Sequence, residues 1–340
     1  MTSRFLLSAV LIICCSCAAR VQGRDGESER PRWLSIEGNT IVSVNPFGSG
    51  ADTLIVEKPL DRIVCMSSSS VGFLSQIGAE SVVAGVSGLR FLSNQSVRDN
   101  AAEIGPDTAP DYETILRLKP DVVIGYCVSA LLPTYAVRLK ELGVPVLMLH
   151  EHLESHPLAR AAYIRAFGLM TGRREEADSV LAAVTARYHE LIAVREEPVK
   201  VLMNIPYADA WYIPGGDNFM TRLVEDAGGE VLGAEPGEVR SGIIHFEKAL
   251  ELASEADLWL HPGWCATKAQ LSSVHPMFRE LPVFNREIWN NTAQATPGGG
   301  NSYWETGPAR PDLILEDLRQ IITPDVLPSD APLHYYIKVE

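Results

Sequence analysis

Between residues 157 and 194 the chain carries its longest amphipathic pattern, HPLARAAYIRAFGLMTGRREEADSVLAAVTARYHELIAV beginning one residue earlier. At helical spacing Tyr163, Ala166, Phe167, Met170, Ala177, Val180, Leu181, Val184, Tyr188, Leu191 and Ile192 form one apolar stripe. Pro157 suits a first helical turn, and Pro198 follows the far end. Thr171-Gly172 marks a kink or short break. The spacing predicts a backbone helix over 157–194, roughly 55 Å long at 1.5 Å per residue, which outruns a single small lobe.

On either side of it the hydrophobic runs alternate between strand-like and helix-like. Before it come RIVCM, VGFLSQIG, AESVVAGVSG, DYETILRLKPDVVIG and TYAVRLKELGVPVLMLH; after it come KVLMNI, FMTRLVEDAGG, IIHFEKALELASEADLWLHPG, VHPMFRELPVFNREIWNNT and RPDLILEDLRQIITPD. Strands alternating with helices predict parallel sheets covered on both faces. Two stretches correspond across the divide. Leu74 to Gly85 parallels Leu223 to Gly233, and Tyr112-Glu113 leading to Asp121-Val-Val-Ile parallels Phe246-Glu247 leading to Asp257-Leu-Trp-Leu. The expected fold is therefore α/β: two Rossmann-like lobes, residues 33–156 and 195–340, with parallel sheets, joined by one long backbone α-helix. Residues 33–56 read as a hairpin leading into the first lobe.

The N-terminus departs from this pattern. Arg4 precedes an apolar run from Phe5 to Ile13 and then Cys14-Cys15-Ser16-Cys17, a secretory leader over 1–17 too short to span a bilayer. Residues 18–32 are polar, without periodicity, and read as a flexible tether.

Of 340 residues, 46% are hydrophobic and 21% charged, which suits a globular chain long enough for two cores. A net charge of −14 argues against nucleic acid and against a polybasic membrane contact. Past the leader, Cys65, Cys127 and Cys265 are widely separated and form no zinc pattern.

In open parallel sheets ligands bind beyond the carboxyl ends of the strands. That rule selects 67–70, 88–91, 126–132 and 150–156 in the first lobe, and 206–218, 261–268 and 290–305 in the second. The second-lobe loops hold Tyr207, Trp211, Tyr212, Trp264, Tyr303 and Trp304, flat faces suited to a macrocycle or aromatic chelator. The opposing candidates are Ser68 and Ser69, Arg90 for an anionic ligand group, and Tyr126, either an iron-ligating phenol or a rim tyrosine. Arg240 and Arg310 are further candidates for the anion.

RIVCMSSSSVGFLSQIGAESVVAGVSG, PDYETILRLKPDVVIGY, PLARAAYIRAFGLMTGRREEAD and VLMNI…WYIPGGDNFMTRLVEDAGGE together resemble the bacterial ABC-importer substrate-binding proteins of the class that takes up cobalamin, iron-siderophores or haem. The resemblance runs from about Asp61 to Pro324. It implies a monomeric, non-enzymatic carrier of an iron or cobalt chelate, without a resident cofactor or metal, that delivers its ligand to an ABC permease dimer in the inner membrane. It also implies that Glu113 and Glu247, equivalent in the two repeats, dock to the permease; the residues alone equally suit carboxylates placed near helix N-termini. The leader resembles a lipoprotein signal with Cys17 as the lipidated residue, which implies a periplasm-facing lipoprotein of the cell envelope.

Two other classes stay open on the residues. His150-Glu151-His152-Leu-Glu154-Ser-His156 has the density of a Zn²⁺ or Mn²⁺ site, with His245, His261 and His275 available in the second lobe. A chelatase-like enzyme would use the same cleft, but G-x-S-x-G, GK[ST], GxGxxG and HExxH are all missing.

Overall fold

A computed structural model describes residues 29–48, 50–193, 195–207, 210–324 and 332–340. Cys17 and the leader lie outside these residues.

The chain first forms an antiparallel three-stranded sheet from β1 (Leu34–Glu37), β2 (Thr40–Val44) and β3 (Ala51–Ile55). It then enters a wholly parallel five-stranded sheet of β4 (Ile63–Cys65), β5 (Val83–Val86), β6 (Ala102–Glu103), β7 (Val122–Gly125) and β8 (Val146–Met148), in the order β6-β5-β4-β7-β8. β4 and β7 are buried along their whole length, as a sheet covered on both faces requires.

The second lobe contributes β9 (Val199–Met203), β10 (Pro206–Tyr207), β11 (Ala210–Ile213), β12 (Gly229–Val231), β13 (Gly242–Ile244), β14 (Leu258–Leu260), β15 (Glu287–Asn290) and β16 (Ile337–Lys338). Its main sheet runs β12-β9-β14-β15-β16, parallel except for the last strand, which closes one edge antiparallel. Pairing β4 with β9, β5 with β12, β7 with β14 and β8 with β15 superimposes the two strand orders, so the sequence repeat is a topological repeat. The second lobe also holds a small antiparallel sheet, β10-β11-β13, next to its first parallel strand.

The single backbone helix is corrected. In place of one helix there are three helical pieces: Pro157–Ala161, Ile164–Thr171 and Arg174–Leu191. At Ala162-Tyr163 the bonds tighten to three-residue steps, Tyr163 N–H to Arg160 O and Arg165 N–H to Ala162 O, and the α-helical run is interrupted. At Gly172 the backbone turns left-handed, with φ of +72°, and the helix stops as it does at a glycine cap. The last piece then folds back on the second. Arg165 Nε meets Asp178 Oδ1 at 2.7 Å, and a side chain at Gly168 would strike Ala177. Residues nine apart in one straight helix stand about 13 Å apart, so the rod is a hairpin.

This hairpin lies between the lobes. Phe167 on its first arm stacks on Phe73 of the first lobe at 5.1 Å. On its second arm Tyr188 donates to Asp226 at 2.6 Å and Arg187 pairs with Glu316 at 2.7 Å, both in the second lobe. One apolar core accordingly runs from Leu34 through the hairpin to Val339, with a smaller cluster on the outer face of the first sheet.

Candidate functional site

Both lobes turn strand exits toward one junction. The helix after β4, Ser68–Gln76, packs on the short helix Ser302–Glu305 beyond β15. The approach is backbone on backbone: a Cβ at Gly72 would lie 1.7 Å from the Glu305 carbonyl oxygen, and one at Gly300 would lie 1.6 Å from that of Phe91. The Glu305 carboxylate accepts the N–H groups of Ser93 and Asn94, and Ser302 Oγ meets Ser93 Oγ at 2.7 Å. Burial raises the Glu305 pKa against these bonds. The 296–306 arm of the second lobe is thus fastened to the first.

Beside that seam a cavity of 590 Å³ opens over the exits of β4, β5, β6 and β7. Ser67 and Ser68, Ser87, Arg90, Asp107 and Tyr126 bring polar groups to it. This is the switch point of the strand order, where α/β sheets leave a crevice. Glu103 shapes its rim by accepting the N–H groups of Gly88, Leu89 and Gly105. Arg90 is exposed, with its guanidinium 4.5 Å above the Phe91 ring. Tyr126 donates its phenol to Asp107 at 2.7 Å; burial first, then this carboxylate, raises the phenol's pKa. Phenolate ligation of iron would need that proton removed against Asp107, so the neutral hydrogen-bonding role suits Tyr126 better.

Ser69 is not on the cavity wall. It is buried and donates to Glu151 at 2.9 Å, while Ser67 Oγ bonds the Ser69 and Ser70 hydroxyls. Burial pushes the Glu151 carboxyl up, but His152, Arg160 and Ser69 together outweigh it and hold it at about 2.

The aromatic wall proposed for the second lobe divides in two. Tyr212, Trp264 and Trp304 are 40%, 62% and 48% exposed, and Tyr207 is 81% exposed. Trp211 and Tyr303 are corrected: both are buried. Trp211 donates to the Met203 carbonyl at 2.8 Å and packs on Trp259 and Phe278; Tyr303 donates to Met220 Sδ and packs among Tyr335, Tyr336 and His261. Alternation along β11 puts Trp211 and Ile213 inside and Tyr212 outside. Arg310 is committed to Asp312 through two hydrogen bonds of 2.9 and 2.7 Å, whereas Arg240 is exposed.

The histidine-rich loop is spent on structure. His156 Nδ1 caps the helix at Leu158, and Glu154 accepts from the backbone of Arg32 and Trp33 and from the Tyr163 hydroxyl. His152 Nε2 bonds the Cys127 carbonyl, and His150 is buried beside the Cys127 thiol. Among the described residues no three His, Cys, Asp or Glu side chains are grouped to hold a metal ion, and Cys65, Cys127 and Cys265 are buried and free.

Glu113 and Glu247 occupy the same second position in equivalent helices, Tyr112–Leu118 and Phe246–Glu255, and both are exposed. Neither is in an ion pair among the described residues. Sequence reasoning missed Asp107, Glu305 and Arg160. Asp107 and Glu305 act on partners 19 or more residues away, and no local pattern signals them.

Two similar α/β lobes meeting at their strand exits define a solute-binding protein of the two-lobed kind. The model of the periplasmic binding protein family matches residues 63–282, and the chain belongs to that family, a family of non-enzymatic solute carriers of the ABC-transporter type. An uncharacterised lipoprotein of Methanocaldococcus jannaschii is 21% identical over 309 residues, 85% of this chain and 71% of that protein. Among solved structures, a periplasmic haem-binding protein of Pseudomonas aeruginosa gives a TM-score of 0.62 at 19% identity, covering 83% of this chain and 98% of that one. The periplasmic haem-binding protein HutB of Vibrio cholerae gives 0.58 at 21%, covering 75% and 98%. The petrobactin-binding protein YclQ of Bacillus subtilis gives 0.58 at 14%, covering 84% and 99%. These likenesses agree with the fold. Among the described residues no helix is long and apolar enough to cross a membrane.

Proposed function

We propose that this protein captures a metal chelate (an iron-siderophore, haem or a corrinoid) at the junction of its lobes and delivers it to an ABC permease, tethered to the membrane through Cys17. The observation that carries the reading is a 590 Å³ cavity of mixed apolar and polar lining on the first lobe's strand exits, with Tyr212, Trp264 and Trp304 exposed on the second lobe. A chelate presents a broad apolar ring or arm and a few fixed polar groups, and such a pair of walls matches both. The names of the haem- and petrobactin-binding neighbours support the same ligand class.

The purified soluble form, titrated in turn with haemin, cobalamin and ferric siderophores, is expected to bind one of them with a change in absorbance and a raised melting temperature. At a hundred times Kd the stabilisation is about 2.7 kcal/mol. A shift with Zn²⁺ or Mn²⁺ alone overturns the chelate. Docking through Glu113 and Glu247 has its own test. The double reversal Glu113→Lys, Glu247→Lys is expected to reduce uptake at least about tenfold while ligand affinity stays put; unchanged uptake sinks it.

A further inference from the structure

Arg160 is the buried charge that the two walls do not explain. It is 7% exposed, yet its guanidinium makes no hydrogen bond or ion pair among the described residues, and its Nε is orphaned. Its guanidinium lies over the Phe219 ring, with Cζ 3.9 Å from the centroid. Glu151 acts on it electrostatically from beyond ion-pair distance, and Ser69 and His152 already engage that carboxylate. Leaving a buried guanidinium without an anion costs several kcal/mol, and burial pulls its pKa down.

Arg160 lines a void of 10 Å³, room for one water-sized occupant. Pro157, Phe219, Tyr303, Trp304 and Pro308 form the other walls. Pro157 and Arg160 belong to the hairpin and Phe219 and Trp304 to the second lobe, so the void sits where the hairpin meets the second lobe. Trp304 is half exposed and forms its outer wall. A planar donor fork over a hole of that size is built for one small anionic group.

We infer that Arg160 anchors an anion subsite beneath Trp304, which takes a halide-sized ion in the free protein and one carboxylate oxygen of an acidic ligand in the loaded one. The ligand-borne half rests on the chelate reading; the free-ion half does not.

Crystals of the ligand-free protein soaked in sodium bromide are expected to show an anomalous peak within about 3.5 Å of the Arg160 guanidinium. A water in its place, or bromide at surface sites only, overturns the subsite. For the ligand-borne half, haemin and its dimethyl ester are compared. The diacid is expected to bind the wild type at least about tenfold tighter than the diester, and the gap is expected to close in Arg160→Gln. An equal ratio in both proteins overturns that half. If neither haem binds the wild type, haem leaves the list of ligands and the bromide peak alone decides the subsite. Arg160→Lys, which keeps the charge and loses the fork, replaces Arg160→Gln if the latter does not fold; it too is expected to narrow the gap.

Discussion

The two lobes share one strand order and diverge just beyond the first strand. After β4 the chain passes directly into the helix Ser68–Gln76 through a row of serines, and the space above it stays open as the cavity. After β9 it makes the β10-β11 hairpin before the equivalent helix Phe219–Asp226, β13 joins that hairpin later in the chain, and Trp211 of this small sheet packs on Trp259 of the main one. The same topology therefore yields a recess in one lobe and a filled, aromatic edge in the other. A duplicated scaffold fixes where the exits lie; the inserted segment decides whether an exit receives a ligand or presents a wall to it.

The largest expected effect breaks the second lobe's filled exit. Trp211 touches Trp259, Phe246 and Phe278 and is 1% exposed. Trp211→Ala is expected to lower stability by about 3–5 kcal/mol in chemical denaturation. A loss under 1 kcal/mol would show that Trp211 does not hold this core together.

The seam between the lobes comes next. Gly72→Ala should favour the helix locally by about 1 kcal/mol, yet the new methyl would overlap the Glu305 carbonyl. Overpacking of this kind costs about 1–3 kcal/mol. A net loss of stability or an increased radius of gyration in X-ray scattering is expected; a stabilised, equally compact variant would show that the lobes are not in contact there.

Buried histidines provide a smaller effect, spread over pH. Burial holds His261 down to about 3 and His156 to about 3, and burial and then His152 hold His150 to about 4. Each is neutral when folded but gains a proton near pH 6.5 when unfolded. The unfolded state thus binds more protons between those values, and stability falls as pH drops below about 6.5 until the folded pKa is reached. Each histidine contributes a slope of up to about 1.4 kcal/mol per pH unit. His261, bonded to the Tyr336 hydroxyl at 2.7 Å, is the cleanest case. His261→Gln is expected to flatten the stability profile between pH 6 and 4 relative to wild type, and an unchanged slope would mean that His261 is charged in the fold.

Much of this comparison is legible in the sequence, because strand and helix periods and the internal repeat are local signals. The hairpin in residues 157–191 is not. Both arms are buried against lobes, so the apolar stripe continues across Gly172 whether the chain goes straight on or doubles back. Arg160 reads as the polar face of a helix, since its burial requires Phe219 and Trp304 from the second lobe. Aromatic content alone also misplaces rings: within Trp211-Tyr212 and Tyr303-Trp304 the first ring is buried and the second exposed.

That last distinction gives the smallest effect on stability and the sharpest separation of core from site. Trp264 lies beyond β14, in the place that the exposed loop of Val128 and Leu131 takes after β7. At 62% exposure its truncation is expected to change stability by no more than about 0.5 kcal/mol. If it meets the ligand as an aromatic anchor, Trp264→Ala costs about 2 kcal/mol of binding, roughly thirtyfold in Kd. Trp211→Ala should show the opposite profile: a large loss of stability and, at temperatures where it remains folded, a smaller loss of affinity. Equal affinity losses in the two variants would mean that fold stability, not contact with the ligand, governs binding at this edge.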